Sequence, residues 1–177
     1  MTTVCVIGLG YIGTPTAVVL AGAGFNVIGV DTNHAVVESL QQGRLHIKEA
    51  GLQELLAGVI QEGQISFSSK PKQADYFVIT VPTPITEDKQ PDMHYVESAV
   101  DAITPYLKQG DCLILESTSP VGTMSEIANR IRQSRPDLSV PVENQSGNYD
   151  IALAYCPERI LPGKMLHELI HNDRVVG

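Results

Sequence analysis

Three glycines and one acid carry the first chemical signal in this sequence. Gly8, Gly10 and Gly13 close the run Val4-Cys5-Val6-Ile7-Gly8-Leu9-Gly10-Tyr11-Ile12-Gly13, and Asp31 ends a second apolar run eighteen residues later. A strand, a glycine turn, a helix start and a following strand that ends in a carboxylate are the outline of a dinucleotide site. Gly8 lets the chain turn sharply, Gly10 lets backbone approach a pyrophosphate, and Gly13 lets the helix pack closely on the sheet. Each role needs the missing Cβ. The unpaired first-turn N–H groups of that helix and its dipole would meet phosphate oxygens. A carboxylate at Asp31 can accept both ribose hydroxyls and repels a 2′-phosphate, and Thr32, Asn33 and His34 supply no arginine to offset that repulsion. NAD is therefore the expected cofactor. The competing explanation is a chance glycine spacing, against which the flanking strand, helix and acid all argue.

Three later loops hold further candidates. In Val81-Pro82-Thr83-Pro84 two prolines stiffen the chain around the Thr83 hydroxyl, which is either a site group or a solvent-facing threonine on a rigid connector. In Glu116-Ser117-Thr118-Ser119-Pro120-Val121-Gly122-Thr123 hydroxyls cluster just before a helix, so Thr118 suits hydrogen bonding to a nicotinamide, a ribose or a water, while Ser119 and Thr123 compete as helix caps. In Cys156-Pro157-Glu158-Arg159-Ile160-Leu161-Pro162-Gly163, Glu158 could serve as an acid–base group and Arg159 as an anion clamp, with a plain surface ion pair as the alternative. His167-Glu168-Leu169-Ile170-His171 matches HExxH spacing but lacks a third ligand, and no metal is expected.

These loops need a scaffold, and the pattern between them supplies one. Apolar runs near 3–8, 26–31, 64–67, 75–80, 111–116 and 151–156 read as strands that alternate with helices over 11–23, 35–42, 52–61, from Asp92 to about Leu107, and 123–133. Asp92 is the expected N-cap of its helix, and 136–150 is expected to be an exposed loop with turn residues at Asn144, Gly147 and Asn148. Alternation of this kind predicts an α/β fold, a doubly wound Rossmann-type sheet, mostly parallel, with helices on both faces and order 3-2-1-4-5-6. Its ligand site lies at the carboxyl ends of the strands, where each of the loops above begins.

A length of 177 residues accommodates one such domain, and 43% hydrophobic with 18% charged residues is an ordinary globular composition. The net charge of −8 gives no positive field for nucleic acid or an anionic membrane, so a phosphate-bearing ligand must be held locally. Cys5, Cys112 and Cys156 form no disulfide framework and are expected to be buried thiols of a cytoplasmic protein. No basic leader or long apolar run points to secretion or a membrane span.

The sequence resembles the UDP-glucose/GDP-mannose dehydrogenase family. The likeness is carried by VIGLGYIGTP at 6–15, GVDTN at 29–33, VPTP at 81–84, PDMHYVESA at 91–99, ILESTSPVG at 114–122, AYCPERILPG at 154–163 and NDRVVG at 172–177. The resemblance implies two successive NAD-dependent oxidations of a sugar C6 alcohol to a carboxylate, with a UDP-sugar as substrate and a full-length protein that forms homo-oligomers. It assigns NAD binding to Gly8, Gly10, Tyr11, Ile12, Gly13 and Asp31, the nicotinamide side to Thr83 and Thr118, water or proton-transfer steps to Glu158, and nucleotide-sugar contacts to Arg159, Ile160 and Leu161. The family's catalytic lysine and its cysteine nucleophile in a glycine-rich loop belong to later domains, and none of the three cysteines here lies in such a loop. Residues 1–177 are accordingly expected to be an NAD-binding domain that does not turn over alone.

Overall fold

The computed structural model describes residues 1–142, 147–158 and 163–177. Six strands form one parallel sheet: β1 (Thr3–Ile7), β2 (Asn26–Val30), β3 (Ile65–Ser68), β4 (Tyr76–Ile79), β5 (Cys112–Leu115) and β6 (Ala152–Tyr155). Their order is β3-β2-β1-β4-β5-β6, as the alternating pattern predicts, and the register pairs Val6 with Gly29 on one side and Val78 on the other. The order reverses between β1 and β4, which opens a crevice at their carboxyl ends.

The helices are α1 (Gly13–Gly22), α2 (His34–Gln41), α3 (Leu52–Gln61), α4 (His94–Ile103), α5 (Thr123–Ser134) and α6 (Met165–His171). Because strand side chains alternate, each central strand feeds two cores. On one face Val4, Val6, Val27 and Phe67 meet Ala17, Val18, Leu40, Leu52 and Leu56 of α1 to α3. On the other, Cys5, Ile7, Phe77, Ile79, Leu113 and Leu115 meet Val96, Val100, Ile103, Ile127 and Ile131 of α4 and α5. Burying one such side chain contributes roughly 1.5–3 kcal/mol. Coverage is uneven. Behind β4 to β6, on the α1 side, Tyr76 is 41% exposed, and cavities of about 310 and 340 Å³ run along Leu20, Val78 and Ile114.

Several boundaries differ from the sequence reading. α1 starts at Gly13, since Tyr11 and Ile12 belong to the turn. α4 ends at Ile103 and passes into a 3-10 turn over Thr104–Tyr106, where Pro105 removes a backbone donor. Asp92 Oδ1 accepts the His94 N–H at 3.0 Å, while the capping position itself is Met93. Neither Ser119 nor Thr123 caps α5. Gly122 occupies that position at φ 96°, and both hydroxyls donate instead to loop carbonyls, Ser119 to Ser117 O and Thr123 to Pro120 O. Among the described residues of 136–150, Val140 is buried, and Ser139 and Asp150 bond each other through side chain and backbone, so part of this stretch is less exposed than expected. Asn144 lies outside the described residues. α6 carries the HExxH spacing, but His167 and His171 stack on one another at 4.3 Å. Among the described residues no three His, Cys, Asp or Glu side chains gather as a metal site, and no helix is long and apolar enough to cross a membrane.

Candidate dinucleotide cleft

The glycine loop is built by close approach. Gly8 sits at φ +95°, and its N–H donates to Val30 O of β2. A Cβ on Gly13 would lie 1.8 Å from Gly8 O and 2.4 Å from Thr80 Oγ1, so no other residue fits there. Thr80, the residue after β4, places its hydroxyl 2.7 Å from Gly8 O and 3.0 Å from Ile7 O. Thr14 Oγ1 donates to Leu9 O at 2.7 Å. A Cβ on Gly10 would meet no atom within 4 Å, so its surroundings are open to a ligand. The first turn of α1 holds no acidic residue, and no side chain caps it. Backbone amides with that freedom fit a pyrophosphate.

Asp31 is fixed by the same loop. Its Oδ2 accepts the Leu9 N–H at 2.8 Å and its Oδ1 accepts the Asn33 N–H at 2.8 Å. Asn33 in turn caps α2 through Ala35 N–H. The second strand's acid is thus joined directly to the glycine turn.

Thr83, Thr118 and Glu158 all line one cleft of about 370 Å³ together with Gly10, Tyr11 and Ile12. Sheet order brings these loops together from positions 75 residues apart. Ser117 Oγ donates to Val81 O at 2.7 Å, tying the β5 loop to the β4 loop. Ser119 N–H donates to Tyr155 Oη at 3.2 Å, which ties the same loop to β6. Thr118 is left exposed between these two anchored serines. Glu158 N–H donates to Glu116 O at 3.3 Å, and the Glu158 side chain is only 10% exposed. Arg159, Ile160 and Leu161 lie outside the described residues.

Sequence reasoning left Glu116 without a role. It directly follows β5, is 7% exposed and lines the cleft. Burial pushes its carboxyl above the usual range, with Arg174 pulling it down and Glu158 pushing it up. Arg174 Nη1 donates to Glu116 Oε1 at 3.0 Å and its Nη2 to Glu158 Oε2 at 2.9 Å. A charged residue closing the apolar run Cys112-Leu113-Ile114-Leu115 was the signal that could have marked Glu116. Thr80, in the same position after β4, was equally readable. The cysteines are free; burial raises the Cys5 thiol to about 11 and also raises Cys112. Neither is a thiolate at neutral pH.

A glycine turn between β1 and α1, an acid after β2 and a cleft across the switch point define the dinucleotide-binding domain of a dehydrogenase. Residues 2–177 match the model of the UDP-glucose/GDP-mannose dehydrogenase family, NAD binding domain, and the chain belongs to that family, with NAD as its cofactor. Among its relatives, a UDP-N-acetyl-D-mannosamine dehydrogenase of Yersinia pestis is 50% identical over 176 residues, covering 99% of this chain and 41% of the relative. An NDP-N-acetyl-D-galactosaminuronic acid dehydrogenase of Ralstonia nicotianae is 49% identical over 175 residues, with the same coverage. The UDP-N-acetyl-mannosamine dehydrogenase of Staphylococcus aureus superposes with a TM-score of 0.90 at 39% identity, over 99% of this chain and 41% of that one. The chain thus spans about two fifths of the length of these relatives.

Proposed function

We propose that this domain holds NAD within a UDP-N-acetyl-D-mannosamine 6-dehydrogenase, whose full-length form oxidises the sugar C6 alcohol to a carboxylate in two steps. The observation that carries this reading is the convergence of Gly10, Tyr11, Ile12, Thr83, Thr118 and Glu158 on one cleft. The names of the Yersinia and Staphylococcus relatives support the sugar. NAD bound here supplies the acceptor for the hydride that leaves C6 at each oxidation.

The chain's own residues prepare that chemistry. The Gly8–Gly13 turn, held in shape by Thr80, offers its amides to the pyrophosphate, and Asp31 takes the adenosine ribose hydroxyls. Thr83 and Thr118 present hydroxyls on two anchored loops at the nicotinamide end, where they orient the ring amide or a water. Glu158 accepts a proton from the C6 alcohol or from a water, because a nearly buried carboxylate at the cleft wall is placed to do so. Arg159, Ile160 and Leu161 meet the nucleotide sugar, and the lysine and cysteine expected for the second oxidation come from the rest of the full-length protein, which we take to be a homo-oligomer.

The test is turnover by the full-length protein with a panel of nucleotide sugars. Two NADH formed per UDP-N-acetylmannosamine, with UDP-glucose a poor substrate, is the expected result. A preference for UDP-glucose or another UDP-hexose would reassign the sugar. The Ralstonia relative, at nearly the same identity, specifically favours an N-acetylgalactosamine-type substrate as the second reading. No turnover with any sugar, alongside intact NAD binding, would leave a non-catalytic binding module.

A further inference from the structure

Arg174 reaches the cleft from behind. It lies in the extended segment after α6, whose Gly177 exchanges both backbone hydrogen bonds with Tyr155 of β6 (2.6 and 3.0 Å). It lines the cavity behind the sheet with Thr16, Cys156 and Val176, whereas Glu158 lines the cleft in front. Glu116 borders both and so forms part of the wall between them.

Two carboxylates share that one guanidinium. Glu116 takes Nη1 and Glu158 takes Nη2, while Thr16 Oγ1 donates to the other oxygen of Glu116 at 3.4 Å. Cys156 Sγ stands 3.8 Å from Nη1. Both acids are nearly buried, with side chains 8% and 10% exposed, and Arg174 is 27% exposed. Two nearly buried acids that repel each other gain from a cation that bonds to both. A planar fork suits this bridge, since it bonds two carboxylates at fixed angles.

We propose that Arg174 is a positioning residue, which fixes the Glu158 carboxylate at the cleft wall by bridging it to Glu116 from the far side. This rests on the reading of Glu158 as the acid–base group. It adds a residue that touches neither cofactor nor sugar, and it makes Glu116 the anchor of the bridge.

The test pairs two readouts. In the 177-residue chain, carbon-detected NMR follows the glutamate carboxyls through pH, with Glu116→Gln and Glu158→Gln to assign them. Arg174→Met is expected to move the titration of the pair to higher pH and leave NAD affinity within about threefold. In the full-length enzyme the same change is expected to lower kcat by at least about tenfold, with KM for sugar and NAD nearly unchanged and the acidic limb of the pH profile moved up. Arg174→Lys keeps a charge but loses the fork, so it should recover most of the titration and little of kcat. If Arg174→Met weakens the fold, Arg174→Lys at full stability carries the test alone. Unchanged carboxyl titration and kcat in both variants overturn the bridge. If instead Glu158→Gln leaves kcat intact while the titration shifts as described, the bridge stands as structure and the acid–base reading fails.

Discussion

The sheet divides into two halves of different character. In β1 and β2 both faces are covered, the glycine turn is locked by Thr80 and Asp31, and the site is made of backbone. From β4 to β6 one face is only partly covered, and the site is made of side chains on loops joined by hydroxyls and one shared arginine. On the proposed function, the first half would hold the part of NAD common to all dinucleotides and can be rigid. The second half would then meet the reacting groups, where orientation and charge matter more than shape. Such a division would keep cofactor holding and reaction chemistry on opposite sides of the switch point.

The comparison breaks most directly at Gly13. Gly13→Ala forces a Cβ into Gly8 O, and the expected result is loss of measurable NAD binding with a stability loss of about 4 kcal/mol, read by calorimetry and thermal melting. A variant that melts and binds normally would show the loop to be pliable. The next contrast lies within one strand. Phe77→Ala, on the covered face of β4, should cost about 3 kcal/mol, while the adjacent Tyr76→Ala on the open face should cost about 0.5 kcal/mol or less in urea unfolding. Equal losses would mean that both faces are equally packed.

Asp31→Ala separates recognition from scaffolding at a smaller scale. It should weaken NAD by about 10- to 100-fold and narrow the gap between NAD and NADP, measured by titrating both cofactors. Unchanged affinities would remove Asp31 from the site. The smallest effect concerns pH. Burial raises the Glu116 carboxyl in the folded chain, so the folded form binds the proton more tightly, and stability falls as pH rises from the ordinary carboxylate range through the raised value. Glu116→Gln should flatten that decline in melts taken from pH 4 to 8. Asp101, held low chiefly by its bond from Arg130, acts with the opposite sign, and its contribution is lost as pH falls through its lowered value in both proteins.

The two halves were not equally legible. The outline around Gly8, Gly10, Gly13 and Asp31, a glycine turn and a strand ending in an acid, could be read directly, because it depends on backbone freedom and on a spacing set by one strand–helix–strand unit. Strand order followed from alternation and crossover handedness. Thr83, Thr118 and Glu158 could be named because each follows a strand, and the cleft does contain them. The Glu116–Arg174–Glu158 bridge could not, since three residues 16 to 58 positions apart meet only through register and a segment folding back on β6. α6 was missed for a related reason. Its first amide, Met165 N–H, and the Gly163 N–H just before it donate to Glu49, more than a hundred residues earlier, so no local cap announced it.

Asp31 has one further consequence, for redesign. Each of its oxygens already receives a backbone amide, Leu9 on one side and Asn33 on the other, and retains a second lone pair for a ribose hydroxyl. The residue proposed to discriminate between cofactors is therefore also a strut between two loops. A single exchange meant to invite the phosphorylated cofactor would strip at least one of these amides of its acceptor along with the repulsive charge. Altered preference in this scaffold has to come with a replacement strut, and libraries that vary position 31 alone will sample mostly loosened loops.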